Sequence, residues 1–386
     1  MTFALRPYQQ EAVDAAVSFL RGPSPHNAIE VLPTGSGKSL IIANIALDLG
    51  EPVLIFQPSR EILQQNLAKL ASYGYHAGVY SASAGRAEVS NITLATIGSV
   101  IGKSSLFENF RHIIIDECHL VNVQEGLYKT FLETLTAAGA KVLGLTATPY
   151  RVVTNGCTEL RFLTQTSPRI FHDMIYCVQN RDLFNSGYLS RLEYATPNPF
   201  DRGELRINST GADFTDESVR DYYRRSDFPD ILVGVIRDQM KERRNALVFT
   251  RFVEEAEYLV SRIPNSAIVT GVSTKRERAR VINGFKRGSL DVVCNVGVLS
   301  VGFDYPELET VVTGRPIMSL ALWYQMIGRC TRPHPQKACA RVVDMCGNYA
   351  TFGRVEDLEI KDGGNGKWFV ASGERQLTNI YYGERS

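Results

Sequence analysis

No apolar run in this 386-residue chain comes near the ~20 residues that a membrane-spanning helix needs; the longest, such as Ile113-Ile114-Ile115, are far shorter. The opening Met1-Thr2-Phe3-Ala4-Leu5-Arg6 lacks the hydrophobic region of a secretory leader, so a cytoplasmic protein without a membrane partner is expected. Cysteine is scarce and scattered, at 118, 157, 177, 294, 330, 339 and 346, and no pair has C-x-x-C spacing. Neither a zinc site nor a disulfide framework is therefore expected, and reduced, mostly buried thiols are. An excess of one charge is also missing. With 42 Lys and Arg against 41 Asp and Glu, the formal net charge is +1, so there is no global basic field. Binding of nucleic acid must then come from local charges on one face.

What is present is length for two full cores and a steady alternation of short β-rich runs with helical patterns. Strands are expected at 28–32, 52–57, 91–96, 112–115 and 141–146, then at 246–250, 266–270, 291–294, 310–313 and 341–344. Two sets of five predict an α/β fold of two similar modules, each a parallel sheet flanked by helices. The chain is expected to cross between modules near 188–197. A polar, strandless stretch over 202–242 carries helical patterns at 216–225 and 229–241. Ligands of open parallel sheets bind beyond the carboxyl ends of the strands, and the polar signatures of this chain fall there. Thr96-Ile97-Gly98-Ser99 follows the third strand, Asp116-Glu117-Cys118-His119 the fourth and Thr146-Ala147-Thr148-Pro149 the fifth.

Leu32-Pro33-Thr34-Gly35-Ser36-Gly37-Lys38-Ser39 is the most informative stretch. Strand, glycine-rich turn, Lys-Ser and helix together make a cradle for nucleotide phosphates. Lys38 would bridge the β- and γ-phosphates, and the Ser39 hydroxyl would hold Mg²⁺. Leu32 stands where the generic G-x-x-x-x-G-K-[ST] pattern has its first Gly, so the loop is a shortened form. Asp116 and Glu117 emerge from a buried strand; Asp116 would hold Mg²⁺ and Glu117 would orient and deprotonate the attacking water. An acidic pair after an apolar strand also describes an ordinary solvated turn. Its order behind a phosphate loop favours the chemical reading.

With those residues in place the chain resembles a superfamily 2 helicase. LPTGSGKS at 32–39, DECH at 116–119, LTATP at 145–149 and the segment 324–332, which fits Q-x-x-G-R-x-x-R, stand in that family's order. The likeness runs from Leu5 to about Tyr349. The segments LRPYQQEAVDA, VLPTGSGKSL, DECH, LGLTATPYR, GYL and VGFDYPELE look most like the bacterial RadD-type DNA repair proteins. Relatives of that type usually continue into a zinc-binding tail, and no zinc is expected here. The resemblance implies two tandem RecA-like domains, over 1–190 and 191–360, with a tail at 361–386 and an ATP cleft between the domains. It implies ATP and Mg²⁺ as ligands, ATP hydrolysis, DNA as the nucleic-acid partner and replication or repair proteins as further partners.

Residue by residue, the resemblance assigns Gln9 to the adenine edge, whose donor and acceptor match a carboxamide, with Arg6 near the base. Pro33, Thr34, Gly35, Ser36 and Gly37 line the phosphates beside Lys38 and Ser39. Arg329 and Arg332 look like arginine fingers, Gln325 would face the nucleotide, and Gly302 and Asp304 lie in the motif that senses it. His119, Thr146 and Thr148 resemble the link between hydrolysis and strand movement; His119 would hydrogen-bond to the TATP segment. His119 as a satisfied turn residue is an equal alternative. Ser59 and Arg60, then Thr96 and Gly98, resemble the strand-binding motifs of the first module, and Arg251 and Thr270 would continue that track on the second. Such contacts hold the sugar-phosphate backbone without reading sequence. Tyr222-Tyr223-Arg224-Arg225 reads better as a half-buried helix face than as a stacking platform. A DNA helicase or translocase is expected. An RNA helicase, the motor of a restriction or defence assembly, and an ATP-switched module that anneals or clamps strands without unwinding are the alternatives.

Overall fold

The computed structural model describes residues 4–121, 127–155, 157–298 and 303–381. The chain divides into two compact units. The first comprises Met1–Val153, Leu160–Gln179 and Ile360–Ala371; the second comprises Thr154–Glu159, Asn180–Glu359 and Ser372–Ser386.

The first unit is built on an eight-stranded sheet in the order β10-β1-β7-β6-β2-β5-β3-β4. Its strands are β1 (Ala28–Val31), β2 (Val53–Phe56), β3 (Gly78–Ser81), β4 (Arg86–Ala87), β5 (Ile92–Ala95), β6 (His112–Asp116), β7 (Lys141–Thr146) and β10 (Asp173–Cys177). The strands β8 (Tyr150–Asn155) and β9 (Cys157–Phe162) follow β7 in the chain. All pairings in the large sheet are parallel except β3 with β4. Helices α1 (Pro7–Arg21), α2 (Lys38–Leu49), α3 (Arg60–Ser72), α4 (Ile97–Val100) and α5 (Leu127–Ala137) make the connections that parallel strands require. Pro7 starts α1, where its missing N–H costs nothing. From there Tyr8, Ala12, Ala16 and Leu20, one turn apart, form its buried stripe.

The second unit has a six-stranded sheet, all parallel, in the order β11-β16-β15-β12-β14-β13. Its strands are β11 (Leu192–Ala195), β12 (Ala246–Phe249), β13 (Ser266–Val269), β14 (Val292–Asn295), β15 (Thr310–Thr313) and β16 (Ala340–Asp344). The helices are α6 (Asn180–Asn185), α7 (Asp216–Arg225), α8 (Phe228–Gln239), α9 (Val253–Arg262), α10 (Lys275–Lys286), α11 (Leu320–Ile327) and α12 (Asn348–Phe352). The strands β17 (Leu358–Asp362), β18 (Trp368–Ser372), β19 (Arg375–Gln376) and β20 (Ile380–Tyr381) come last in the chain. Tyr223 of α7 stacks on Phe228 at 4.2 Å and donates its hydroxyl to the Gly314 carbonyl at 2.8 Å, so the Tyr222–Tyr223 pair is core.

Each expected strand has its counterpart, within a residue or two at the ends. β3, β4, β10 and β11 were not anticipated, and neither were β8, β9 or the strands after 357. Asn180 opens the main segment of the second unit, and Ile360–Ala371 groups with the first.

β1 is buried at every position, Glu30 included. The Glu30 carboxyl has no hydrogen-bond partner among the described residues, and burial pushes its pKa well above the usual carboxylate value. Such a group stabilises the fold fully below its unfolded value of 4.5 and loses that contribution as pH rises toward its folded value. Glu30→Met is expected to raise Tm at pH 8, by about 2–4 °C for each kcal/mol relieved, and to flatten the fall of Tm above pH 4.5. Thermal unfolding of both proteins from pH 5 to pH 8 checks this; parallel curves would refute it.

Candidate nucleotide site

Register brings the signatures of the first sheet together. Val31 at the end of β1 pairs with Thr146 at the end of β7, and Asp116 at the end of β6 pairs with Leu145. The phosphate loop therefore leaves β1 beside the TATP segment, and Leu32 N–H donates to the Thr146 carbonyl at 2.9 Å. Gly35 and Gly37 have φ of 87° and 85°, where a side chain is strained. A Cβ on Gly37 would also meet Gln9 Nε2 at 2.6 Å. Two side chains of α1 hold the loop. Tyr8 Oη and Gln9 Nε2 both donate to the Ser36 carbonyl, each at 2.7 Å. Gln9 Oε1 accepts the Arg6 N–H at 2.9 Å, so half of this buried carboxamide's capacity anchors the loop. Arg6 Nη1 reaches Tyr8 Oη at 3.5 Å. Pro33 is buried, Thr34 and Ser39 half-buried, and Lys38 and Ser39 open α2.

Lys38 Nζ pairs with Glu117 Oε1 at 3.3 Å, with 13% and 18% of the side chains exposed. Glu117 Oε2 lies 3.5 Å from His119 Nδ1, which lies 2.9 Å from Thr146 Oγ1. Thr146 Oγ1 in turn accepts the Thr148 N–H at 3.0 Å. A continuous polar chain thus runs from the phosphate-loop lysine to the TATP segment. Glu117 adopts φ 50°, ψ 50°, a left-handed conformation uncommon outside glycine, which turns its carboxylate away from the strand line. Burial lowers the His119 pKa more than Glu117 raises it, so the imidazole is held toward its neutral form. Beneath this turn Gly144 leaves room for Cys118, whose Sγ lies 2.6 Å from where a Cβ would be.

Asp116 accepts from Glu117 N at 3.0 Å and from Asn66 Nδ2 at 3.3 Å, and Asn66 also donates to Gln57 Oε1 at 2.8 Å. Burial, then the Glu117 charge, pushes the Asp116 pKa upward; Lys38 and Asn66 oppose this. A buried carboxylate so disfavoured as an anion, with the Ser39 hydroxyl next to Lys38, is a set of hard oxygen donors of the kind Mg²⁺ prefers. The residues fit that ion. Among the described residues no group of three or more His, Cys, Asp or Glu forms a metal cluster, and no helix is long and apolar enough to cross a membrane.

In the second unit α11 carries Gln325 and ends just before Arg329. The Arg329 guanidinium donates to the Gln325 carbonyl at 3.1 Å and the Phe303 carbonyl at 2.8 Å. Arg332 pairs with the Asp304 carboxylate. The two segments expected to meet nucleotide from this unit are thus joined through both arginines. Gly302 lies outside the described residues.

The residues expected to meet nucleic acid divide. At the carboxyl end of the first sheet, Ser59 caps α3 by accepting from Ile62 N, and the half-buried Arg60 donates to the Ser83 carbonyl at 3.0 Å. Thr96 Oγ1 lies 3.0 Å from Ser81 Oγ and 2.9 Å from Ser99 Oγ, while a Cβ on Gly98 would have open space. Ser81 on β3 and Ser83 just after it extend this hydroxyl cluster, and their places beside Ser99 of α4 were not legible without the register. Arg251 is different. Its side chain is 8% exposed and holds Asp213, Asp216 and the Phe214 carbonyl, so its donors face the interior of the second unit rather than a strand. Thr270 is buried too, its hydroxyl 3.4 Å from Ser273 Oγ in the turn before α10.

Residues 2–151 match the family of the type III restriction enzyme res subunit, and residues 227–334 match the helicase conserved C-terminal domain. The chain carries the two domains of a superfamily 2 helicase. It is 25% identical over 328 residues to a 51.5 kDa protein of a Lactococcus phage, covering 83% of this chain and 66% of that protein. It is 25% identical over 358 residues to the DNA 3'-5' helicase XPB of Kineococcus radiotolerans, covering 88% of this chain and 59% of XPB. Among solved structures, the ATP-dependent Type ISP restriction-modification enzyme LlaBIII bound to DNA superposes with a TM-score of 0.67 at 15% identity, over 88% of this chain and 27% of that one. That likeness establishes the fold: two RecA-like domains in tandem. The chain spans about two thirds or less of the length of these relatives.

Proposed function

We propose that the chain is an ATP-driven DNA helicase or translocase. The polar chain Lys38–Glu117–His119–Thr146 carries this reading, because it ties the phosphate-binding lysine to a carboxylate and onward to a segment leading out of the site. In the structure the Glu117 carboxylate pairs with Lys38. A triphosphate draws the ammonium to its own oxygens, which frees the Glu117 carboxylate to orient water and take its proton. Asp116 and Ser39 would hold Mg²⁺, which would screen the phosphate charge. Arg329 and Arg332 act as fingers when they reach the γ-phosphate. The relatives named DNA helicases favour DNA over RNA, and the LRPYQQEAVDA and VGFDYPELE segments favour a RadD-type role in DNA repair.

The strand track on the first unit is Ser59, Arg60, Thr96 and Gly98, with Ser81 and Ser99 beside them. On the second unit α10 supplies what Arg251 does not. Lys275, Arg276, Arg280, Lys286 and Arg287 are exposed there, and the one carboxylate in their midst, Glu277, is tied to the Thr274 cap. A restriction or defence motor is the second reading, favoured by the res-subunit match over 2–151; it predicts little turnover without a partner. The test is an ATPase panel over single-stranded, duplex, forked and branched DNA and single-stranded RNA, with Lys38→Ala as control. Stimulation by DNA above RNA, lost in Lys38→Ala with the fold intact, is expected; near-normal turnover by that variant would reject the site.

A further inference from the structure

After α11 the chain makes a short turn, residues 329–332, whose backbone carbonyls are held one after another. The Cys330 carbonyl accepts from Lys337 Nζ at 2.9 Å, the Thr331 carbonyl from Ser190 N at 2.7 Å and the Arg332 carbonyl from Ser190 Oγ at 2.9 Å. Lys337 is 7% exposed, and its ammonium also donates to the Pro306 carbonyl at 2.7 Å and the Leu308 carbonyl at 3.1 Å. All three of its N–H groups are therefore used, two on the segment that follows Asp304 and one on the turn that bears the arginines. A cation seated on three carbonyl dipoles, with no carboxylate in direct contact among the described residues, is costly to bury and worthwhile only if it fixes those strands of backbone.

We propose that Lys337 and Ser190 are positioning residues which lock the backbone of the 329–332 turn to that of the 303–308 segment, so that the Arg332 side chain reaches nucleotide from a fixed base. The proposal rests on the reading of Arg332 as a finger. Misplacement of such a group by about 1 Å costs on the order of 10²-fold in rate without a matching loss of binding. Burial lowers the Lys337 pKa to about 8; Cys330 and Glu309 favour its charged form and Arg332 opposes it. The other groups facing it are the Cys330 thiol, which burial pushes up to about 12, and the pairs Glu309 with Arg244, Arg332 with Asp304 and His334 with Glu307. Above pH 8 the neutral amine has one donor fewer than it has carbonyls to hold.

The experiment measures DNA-stimulated ATPase in the whole chain for wild type, Lys337→Met, Ser190→Ala, Arg332→Ala and the two doubles with Arg332→Ala. Lys337→Met is expected to lower kcat by about 10–10²-fold with KM for ATP within about threefold, and wild-type kcat to fall above pH 8 while the variant's stays flat. Each double should turn over no slower than Arg332→Ala alone, since coupled residues are not additive. If Arg332→Ala matches wild type, the finger reading fails and this proposal with it. A crippled Arg332→Ala beside an unaffected Lys337→Met, or losses that multiply in the doubles, overturns the positioning role alone. Should Lys337→Met unfold, Ser190→Ala decides by the same criteria, because it removes one hydroxyl and one hydrogen bond.

Discussion

Glu117→Gln is expected to cut ATP turnover by about 10²–10⁴-fold while ATP binds as tightly as in wild type or more so. Glutamine keeps the size of the side chain and can still hydrogen-bond His119, but its amide cannot accept a proton from water. In the protein as it stands the Glu117 carboxylate competes for Lys38 at 3.3 Å. Removing that charge leaves the ammonium to the phosphates, so affinity should rise as turnover collapses. A purely structural Glu117, one that only balances Lys38, predicts the reverse pattern: a changed Kd and an almost unchanged kcat. Titration with a fluorescent ATP analogue and single-turnover hydrolysis on single-stranded DNA separate the two. Turnover within tenfold of wild type would remove Glu117 from the chemistry. The left-handed φ of 50° belongs in the same argument, because a strained backbone at a non-glycine residue persists where the surrounding structure over-determines it.

The central strands were legible because each is buried on both faces and reads as an apolar run bounded by polar turns. β10 and β11 were not, since edge strands such as Asp173–Cys177 are half-exposed and mix polar with apolar residues. The phosphate loop, the DECH turn and TATP were legible as local words. What joins them is non-local. Asn66 is a polar residue on the otherwise apolar face of α3, with Ile62, Leu63 and Leu70, and that mismatch is the signal that could have found it. Gly144 hides inside a strand pattern, yet its missing Cβ makes the room Cys118 occupies under the Glu117 turn. Arg251 shows the opposite failure. Its place after an apolar strand suggested an outward contact, but Asp213 and Asp216, distant in sequence, arrive beside it through the α7 region and take its donors. Lys337 sits among ordinary charged residues of a turn, and only the fold puts three carbonyls around it.

Arg332→Ala is expected to lower kcat by about 10³–10⁵-fold, with ATP affinity and DNA affinity both retained. A guanidinium at the γ-phosphate stabilises charge that grows only as the bond breaks, so its loss falls on kcat rather than on binding. In the present arrangement Arg332 pairs with the Asp304 carboxylate, and burial lowers its pKa without removing its charge. Reaching a triphosphate therefore exchanges one anion for another, and the net cost of leaving Asp304 is small because that carboxylate is nearly half exposed to water. Arg332→Lys should not rescue, since an ammonium offers a point charge where the planar fork contacts two oxygens. Asp304→Asn distinguishes the latch from the finger: it frees Arg332 early, so it is expected to keep kcat within about tenfold while Arg332→Ala abolishes turnover. Equal losses in both variants would mean that the ion pair, and not the freed guanidinium, is what hydrolysis requires.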